Sequence, residues 1–483
     1  MNTDIFSNAW CVSNNGRALY DVETDRMTSV LPSERQLEFM KLEYYNFIHF
    51  GINTFYNREW GNGQEDISRF NPTELDTDQW CSVLKSTGSK GIIITAKHHD
   101  GFCLFDSQYT EHKVTNTPFG KDIVKMLSES CKKYELKLGI YLSPWDRHEA
   151  TYGTEKYNDY FVNQLTELCT NYGELFCLWF DGACGEGPNG KKQVYDWDRY
   201  YSLIRQLQPQ AVISICGPDV RWIGNEGGRV RKSEWSVVPS GNASNDAVMS
   251  ASQQSEAQAK ELASTTETDE DLGSRDLLMK YRDLIFKPAE ADVSINLGWF
   301  YHPDLYYLFK KQRTAKDLAN IYFASVGGNA SMLLNVPPDK KGLISKREIR
   351  TLEKFTELIT EPFKNEITKC DYSLLKKDFS QRFVTDGDFS FEDDETALKL
   401  AFKTKERVSL ISLRENLRFS QRVEEFRVYI KEENGSYSEV YSGTVIGSRK
   451  IIRLKKSVET DEIIIMPTQS RKNPMFCDVH IYA

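Results

Sequence analysis

Side chains that can transfer protons or hold polar ligands are concentrated where short apolar segments of this chain end. His49 ends YYNFIHFG, His98, His99 and Asp100 end GIIITAKHHDG, and Asp181 ends LFCLWFD. Three of the seven histidines of the chain therefore fall at two such ends. If the apolar segments are parallel strands of one barrel, these side chains meet at its carboxyl-terminal face, where barrels carry their active sites.

One chemistry open to these residues is metal catalysis. Three imidazoles together with Asp100 or Asp181 have the donor atoms that a metal-dependent barrel hydrolase uses. Against this, His98 and His99 are adjacent and would point to opposite faces of a regular strand. The chain also has neither an H-x-H pair nor an H-E-x-x-H motif. We therefore expect no metal and no other cofactor, and keep a metal-dependent hydrolase as an alternative.

The other chemistry is cleavage of a glycosidic bond. It needs two carboxyl groups, one an ionised nucleophile and the other a protonated acid whose pKa is raised. Asp181 suits the nucleophile, because it ends an apolar segment and precedes Gly182, which leaves room for a substrate. Its plain alternative is an aspartate that caps a helix or a turn. Neutral imidazoles, hydroxyl groups and indole faces would hold the sugar.

The elements that must position these residues alternate between apolar and amphipathic segments over the first 350 residues or so. Such alternation predicts parallel strands joined by helices. Eight strands and their helices form a (β/α)8 TIM-like barrel, the α/β fold that we expect. The sixth strand is short and has no regular helix after it. The predicted strands span residues 44–51, 91–97, 137–143, 175–181, 211–216, 232–238, 292–299 and 330–336.

Three further segments complete the predicted organisation. Residues 240–275 are polar and acidic, which favours a solvated insertion, with a lid over the barrel as the functional alternative. Helical patterning returns at 345–360 and then gives way to short alternating segments typical of an all-β sandwich. We expect a catalytic barrel domain over 1–360 and a C-terminal β-sandwich domain over 361–483.

Composition excludes several classes of function. The net charge of −9 and a pI near 5.5 argue against a nucleic-acid partner or an anionic membrane surface. No apolar run is long enough to span a bilayer. The first residues lack the basic and apolar regions of a secretory signal, so we expect a cytoplasmic protein, or a secreted one if a signal was trimmed. The oligomeric state stays open.

Several strings in consistent order resemble the α-L-fucosidases of glycoside hydrolase family 29. They are HFGINTF, EWGNGQED, ITAKHHDGF, GIYLSPWDRHE, WFDGACGEGPNG, GPDVRWIGNEGG and LLNVPP. Together they cover roughly residues 30–345 and are most similar to the subfamily that removes α-1,3- and α-1,4-linked fucose from branched glycans. The family architecture also includes a C-terminal sandwich, although that part of the sequence is a weaker match.

The resemblance implies roles for two carboxyl groups. Asp181 in WFDG matches the catalytic nucleophile, and Glu226 in IGNEGG matches the acid/base of the subfamily. Glu234 in KSEW is the competitor for that second role. The residue types alone do not favour Glu226 over Glu186 or Glu59.

The resemblance also implies a set of sugar contacts. Five residues match positions that line the fucose pocket: His49, Trp60, His98, His99 and Tyr141. Trp299 matches the aromatic residue that packs on the fucose methyl face. Glu65, Asp146 and Arg221 fall in motifs that could contact the neighbouring sugars, and each has an alternative role in ordering a loop or forming an ion pair.

The expected function is therefore a retaining, exo-acting α-L-fucosidase. Its substrates would be terminal α-1,3/1,4-linked L-fucose residues of Lewis-type oligosaccharides and glycoconjugates. Two alternatives remain: a fucosidase of broader specificity, and a glycan-binding protein without catalysis on the same fold.

Overall fold

A parallel barrel is followed by an antiparallel β domain. The structure is a computed structural model that describes residues 17–252, 265–303, 312–378, 380–387 and 389–483. The strands of the first domain are β1 (Tyr44–Ile48), β2 (Gly91–Lys97), β3 (Lys137–Leu142), β4 (Leu175–Phe180), β5 (Val212–Ile215), β6 (Arg221–Trp222), β7 (Val237–Pro239), β8 (Leu284–Phe286), β9 (Ala289–Ser294) and β10 (Ala330–Asn335).

Eight of these strands, within the described residues, form one parallel sheet that closes on itself almost completely. Their order is β5-β4-β3-β2-β1-β10-β9-β6. A parallel bridge between Ser214 and Val220 links the two ends of the sheet. Strands β1, β2 and β4 are buried along their whole length, because helices cover the outer face and side chains fill the inside. The predicted barrel fold is confirmed.

The sixth strand of the barrel is not where the sequence predicted it. Residues 232–238 were expected to supply it, but the sixth strand is β6, which pairs with β9. The apolar residues Val237 and Val238 belong instead to β7, which pairs antiparallel with β8 in a separate two-stranded sheet. Strand β6 has only two residues, and one of them is the buried arginine Arg221. The sequence therefore has no apolar run that would predict this strand.

Helices cover the barrel, and several begin at caps that the sequence encodes. A capping box begins the second helix: Ser33 precedes the helix, and its backbone N–H donates to Gln36 Oε1 at 2.9 Å. No helix in the described residues is long and apolar enough to cross a membrane. The helices are α1 (Arg17–Thr28), α2 (Glu34–Met40), α3 (Ile52–Tyr56), α4 (Thr77–Ser86), α5 (Ile123–Lys133), α6 (Glu155–Asn171), α7 (Trp197–Leu207), α8 (Asn245–Ser252), α9 (Arg275–Leu278), α10 (Ala315–Ser325) and α11 (Lys346–Thr360).

The polar segment 240–275 packs on the barrel in the parts that are described. Helix α8 lies against Gly182, where an added Cβ would meet Ser252 Oγ at 2.1 Å. Thr266 and Glu267 are buried as well. These contacts differ from the solvated insertion that the composition favoured. The possible lid function concerns residues that include 253–264, which lie outside the described residues.

The C-terminal domain is an antiparallel β-sandwich. Its two longest strands pair with each other and shift register twice along their length. Its apolar side chains form one large buried cluster and one small one. The strands are β11 (Cys370–Lys376), β12 (Gln381–Val384), β13 (Phe389–Ser390), β14 (Glu395–Glu415), β15 (Val423–Lys431), β16 (Tyr437–Gly443), β17 (Lys450–Ser470) and β18 (Met475–Tyr482).

The sandwich contacts the barrel at the amino ends of its strands. Glu43, just before β1, accepts hydrogen bonds from Arg414 and Arg449. Asn329, just before β10, accepts a hydrogen bond from the Ser448 N–H at 2.7 Å. These contacts lie at the opposite end of the strands from His49, His98 and Asp181.

Candidate active site

Three histidines meet at the carboxyl end of the barrel. The ring centroid of His98 lies 5.9 Å from that of His49 and 4.1 Å from that of His99. The two adjacent histidines share one side because β2 has already ended at Lys97 and the chain turns, with Gly101 N–H donating to the carbonyl of His98. The opposite orientation expected for a regular strand therefore does not apply.

The three imidazoles are electrically neutral. Burial lowers the pKa of His49 and His99 to about 4, and it lowers the pKa of His98 well below its usual value. Asn335 Oδ1 lies 2.9 Å from His49 Nδ1, and Ser143 Oγ lies 2.7 Å from His99 Nδ1, so both rings have fixed orientations. Neutral, oriented imidazoles donate and accept hydrogen bonds without adding charge, as sugar hydroxyl groups require.

Asp181 lies directly after β4 beside these rings. Its carboxylate accepts hydrogen bonds from the Tyr141 hydroxyl at 2.9 Å and from the Ala183 N–H at 2.8 Å. His99 Nε2 lies 3.7 Å away, and 23% of the Asp181 side chain remains exposed to solvent. Since His99 is neutral, the carboxylate is oriented by hydrogen bonds while it stays accessible from the barrel mouth.

Glu226 is the second carboxyl group at this site. It lies in the loop after β6, where Asp181 and Trp299 are its neighbours, and part of the residue is exposed to solvent. Its pKa is raised, first by the partial burial of the carboxyl group and then by the negative charge of Asp181. A hydrogen bond from the Trp299 side chain acts in the opposite direction. Burial and the negative charge of Asp181 therefore both favour the protonated form of Glu226.

Glu234 lies in a different environment. It is buried, with Arg221 donating to its Oε1 and Arg231 Nη1 lying 3.2 Å from its Oε2. Two guanidinium groups therefore surround the Glu234 carboxyl group, and its side chain is fully buried. Of the two glutamates, only Glu226 faces the mouth.

Aromatic side chains form the walls of the site. Trp299 packs on His49 with ring centroids 5.1 Å apart. Trp60 is 53% exposed and meets the rings of His99 and Trp145 edge-on, each at 5.5 Å. Exposed aromatic faces of this kind suit the apolar patches of a pyranose ring.

Three residues predicted to contact neighbouring sugars are buried and have polar partners within the protein. Arg221 is fully buried in its pair with Glu234, and Asp146 is fully buried with Lys97 Nζ at 2.8 Å. Glu65 accepts hydrogen bonds from the N–H groups of residues 62 and 63, at 2.7 and 2.9 Å. These partners favour the alternative role, that the three residues order the loops around the site, and their contact with neighbouring sugars stays a prediction.

Sequence reasoning missed several residues that shape the site. Trp179 stacks on Tyr141 at 5.3 Å and donates its indole N–H to Glu290. Glu59 accepts the backbone N–H of Trp299 at 2.8 Å. Trp179 lies two residues before Asp181 on β4, so the period-2 pattern of a strand could have placed it on the same face. No local pattern could have paired Glu59 with Trp299.

The described residues contain no group of three or more histidine, cysteine, aspartate or glutamate side chains arranged to hold a metal ion. The histidines that could have served as ligands instead have hydrogen-bond partners such as Asn335 and Ser143.

Comparison with known proteins gives a consistent result. The alpha-L-fucosidase family model matches residues 27–361. The chain is 36% identical to Alpha-L-fucosidase 1 of Arabidopsis thaliana over 472 residues, which cover 94% of this chain and 87% of that protein.

Two solved structures are also similar over most of the chain. A candidate alpha-L-fucosidase from Bacteroides ovatus superposes with a TM-score of 0.81 at 41% identity, covering 94% of this chain and 74% of the other. A Ruminococcus gnavus GH29 fucosidase in complex with fucose superposes with a TM-score of 0.76 at 27% identity, covering 94% and 95%.

Proposed function

The chain belongs to the alpha-L-fucosidase family, glycoside hydrolase family 29, and we propose that it is a retaining exo-enzyme that removes α-1,3/1,4-linked L-fucose from branched oligosaccharides. Fucosidase activity follows from the family. The linkage, the branched Lewis-type substrates and the mechanism are the proposal. The observation that carries it is the carboxyl pair at the mouth, Asp181 and Glu226, which no lysine or arginine of the described residues neutralises.

The proposed mechanism has two displacements. Asp181 attacks the anomeric carbon while Glu226 donates its proton to the leaving glycosidic oxygen, giving a covalent fucosyl-enzyme. Glu226, now ionised, then takes a proton from water, which displaces Asp181 and releases fucose with its configuration retained. A raised pKa supports this role, because Glu226 must hold a proton when the substrate arrives. Such a pair works at a separation of about 5–5.5 Å.

Recognition of the fucose ring rests on the neutral polar groups around Asp181. We propose that His49, His98 and His99 hydrogen-bond the ring hydroxyl groups and that Trp299 packs on the methyl face. Tyr141 orients the nucleophile through its hydrogen bond to the carboxylate. We propose that Trp60, which is half exposed, also contacts the fucose ring.

The preference for branched glycans rests on the resemblance of the motif strings to one subfamily. The test is to incubate the enzyme with a Lewis-type trisaccharide, 2′-fucosyllactose and an aryl α-L-fucoside, and to quantify free fucose. We expect release mainly from the trisaccharide. Proton NMR of early time points should show the α-anomer of fucose before mutarotation.

Each other outcome has a distinct meaning. Preference for 2′-fucosyllactose or the aryl fucoside would contradict the proposed linkage and indicate the broader-specificity alternative. First release of the β-anomer would contradict the retaining mechanism. Binding of the trisaccharide without release of fucose from any substrate would indicate a glycan-binding protein without catalysis. An Asp181→Asn preparation, purified in parallel, controls for contaminating fucosidases.

A further inference from the structure

Two carboxyl side chains on β9 lie inside the barrel and take no part in the proposed mechanism. Glu290 and Asp292 are both buried, two residues apart on the strand. Each accepts an indole N–H: Trp179 donates to Glu290 at 2.6 Å, and Trp222 donates to Asp292 at 2.8 Å. Trp179 belongs to the strand that carries Asp181, and Trp222 to the strand that leads into the Glu226 loop.

The loop that carries Glu226 is attached to β9 on both sides of Asp292. It departs at Ile223, whose N–H donates to the carbonyl of Glu290 at 2.9 Å. It returns at Gly227, which forms an antiparallel bridge with Val293. The indole of Trp222 lies between these backbone contacts and joins the start of the loop to the Asp292 carboxyl group. Glu226 occupies the short turn between the two attachments.

The charges around Asp292 explain how a carboxyl group is tolerated there. Its pKa is raised well above the usual value, first by burial and then by the negative charges of Glu226 and Glu290. The Trp222 hydrogen bond acts in the opposite direction. These surroundings favour the neutral form of Asp292, which accepts the indole N–H without placing a second negative charge beside the proposed acid/base.

We infer that Asp292, acting through Trp222, is a positioning residue that holds the Glu226 loop in the geometry needed for proton donation to the leaving group. The inference rests on the proposed function, since it assigns a support to the proposed acid/base. Residues in such a supporting position typically change activity by 10–100-fold when they are removed, as is known for partners of metal ligands.

The test compares two substrates that differ in their need for protonation. A Lewis-type trisaccharide has a poor leaving group and needs the acid, whereas an aryl α-L-fucoside with an acidic phenol needs it far less. We expect Asp292→Leu to lower kcat/KM on the trisaccharide about 10–100-fold and on the aryl fucoside less than about threefold. Trp222→Phe removes only the indole N–H donor, so it should also lower kcat/KM more on the trisaccharide than on the aryl fucoside. The double variant should be no worse than either single one.

Asp292→Asn is the matched conservative variant. Its amide oxygen still accepts the indole N–H and its side chain is neutral, so both kcat/KM values should stay within about threefold of wild type. The remote control is Glu415→Gln in the β-sandwich, a buried carboxyl group that accepts the N–H groups of Val423 and Gly447, each at 2.8 Å. This control should leave the ratio of the kcat/KM values on the two substrates unchanged, even if it lowers the melting temperature.

Three results would overturn the inference: equal losses on both substrates, an Asp292→Asn enzyme as impaired as Asp292→Leu, or a Trp222→Phe enzyme with the wild-type ratio. If Asp292→Leu does not fold, the kcat/KM values of Trp222→Phe and Asp292→Asn on the two substrates still test the inference. Failure of the proposed function looks different, because Glu226→Ala would then leave the substrate ratio unchanged or the wild type would release no fucose.

Discussion

Carboxyl groups at the barrel mouth and carboxyl groups behind it have opposite electrostatic surroundings. Asp181 and Glu226 face the mouth without a lysine or arginine partner in the described part of the chain, and His99, which lies beside Asp181, is neutral. Asp146 and Glu234 lie behind them, fully buried and each paired with at least one cation. The same side-chain chemistry is thus left reactive in one place and neutralised in the other.

The difference separates function from scaffold. A carboxylate held by a buried cation is fixed in its ionised form, so it neither donates a proton nor attacks a carbon atom. A partly buried carboxyl group beside another carboxylate keeps its proton to higher pH, which is the property of a general acid. Variants of these four residues should therefore divide into losses of catalysis and losses of stability.

The largest effect should come from Asp181→Asn. It removes the proposed nucleophile, and we expect kcat on every fucoside to fall by about 10⁴-fold or more. The melting temperature should change little, because the side chain is partly exposed and has no cationic partner among the described residues. The measurement is fucose release beside thermal unfolding of the same preparation.

Asp146→Asn is the matched control for that variant. It leaves Lys97 buried without its counter-charge, which costs about 3–5 kcal/mol of unfolding free energy. Activity per folded molecule should stay within about tenfold of wild type. An Asp181→Asn enzyme with near-normal activity would contradict the catalytic role of the carboxyl groups at the mouth. An Asp146→Asn enzyme that is stable and inactive would contradict the structural role of the buried, paired carboxyl groups.

The next effect should separate Glu226 from Glu234. Glu226→Ala should lower kcat on a Lewis-type trisaccharide by about 10²–10⁴-fold, since it removes the proton donor. With an aryl fucoside, added azide should restore part of the turnover, because azide attacks the fucosyl-enzyme without help from a general base. Glu234→Gln should instead lower stability by about 3–5 kcal/mol and gain nothing from azide. Azide rescue of the Glu234 variant alone would reverse the assignment.

Most of the barrel was predictable because its strands are buried on both faces. Runs such as GIIITAK and LFCLWF are apolar for that reason, and the predicted strands at 91–97 and 175–181 are confirmed to within a residue. Strand β6 was not predictable. It is two residues long, and the pairing with β9 and the hydrogen bonds of Arg221 and Trp222 hold it in place rather than its own apolar character.

The site was predictable only in part. Barrels carry their active sites at the carboxyl ends of their strands, and on that ground the sequence predicted that His49, His98, His99 and Asp181 lie together. In the structure these four side chains are neighbours. Glu226 and Glu234, eight residues apart, look alike in the sequence. What distinguishes them is that Arg221 and Arg231 contact Glu234, and no local sequence pattern reveals those contacts. The burial of Glu65, Asp146 and Arg221 depends on the same kind of long-range packing.

The smallest effect concerns how Asp181 and Glu59 tune Glu226. Both carboxylates raise the pKa of Glu226, so the protonated acid persists to higher pH, and kcat/KM on an oligosaccharide falls as the pH rises through that raised pKa. Glu59→Gln removes one negative charge while its amide oxygen still accepts the Trp299 N–H. The pKa of Glu226 should fall. The alkaline limb of the pH profile of kcat/KM should therefore move to lower pH by roughly 0.3–1 unit. Glu186→Gln, an exposed change in the loop after β4, should leave the limb in place. A limb that moved to higher pH, or moved equally in both variants, would show that the acid at the mouth is not tuned by its carboxylate neighbours.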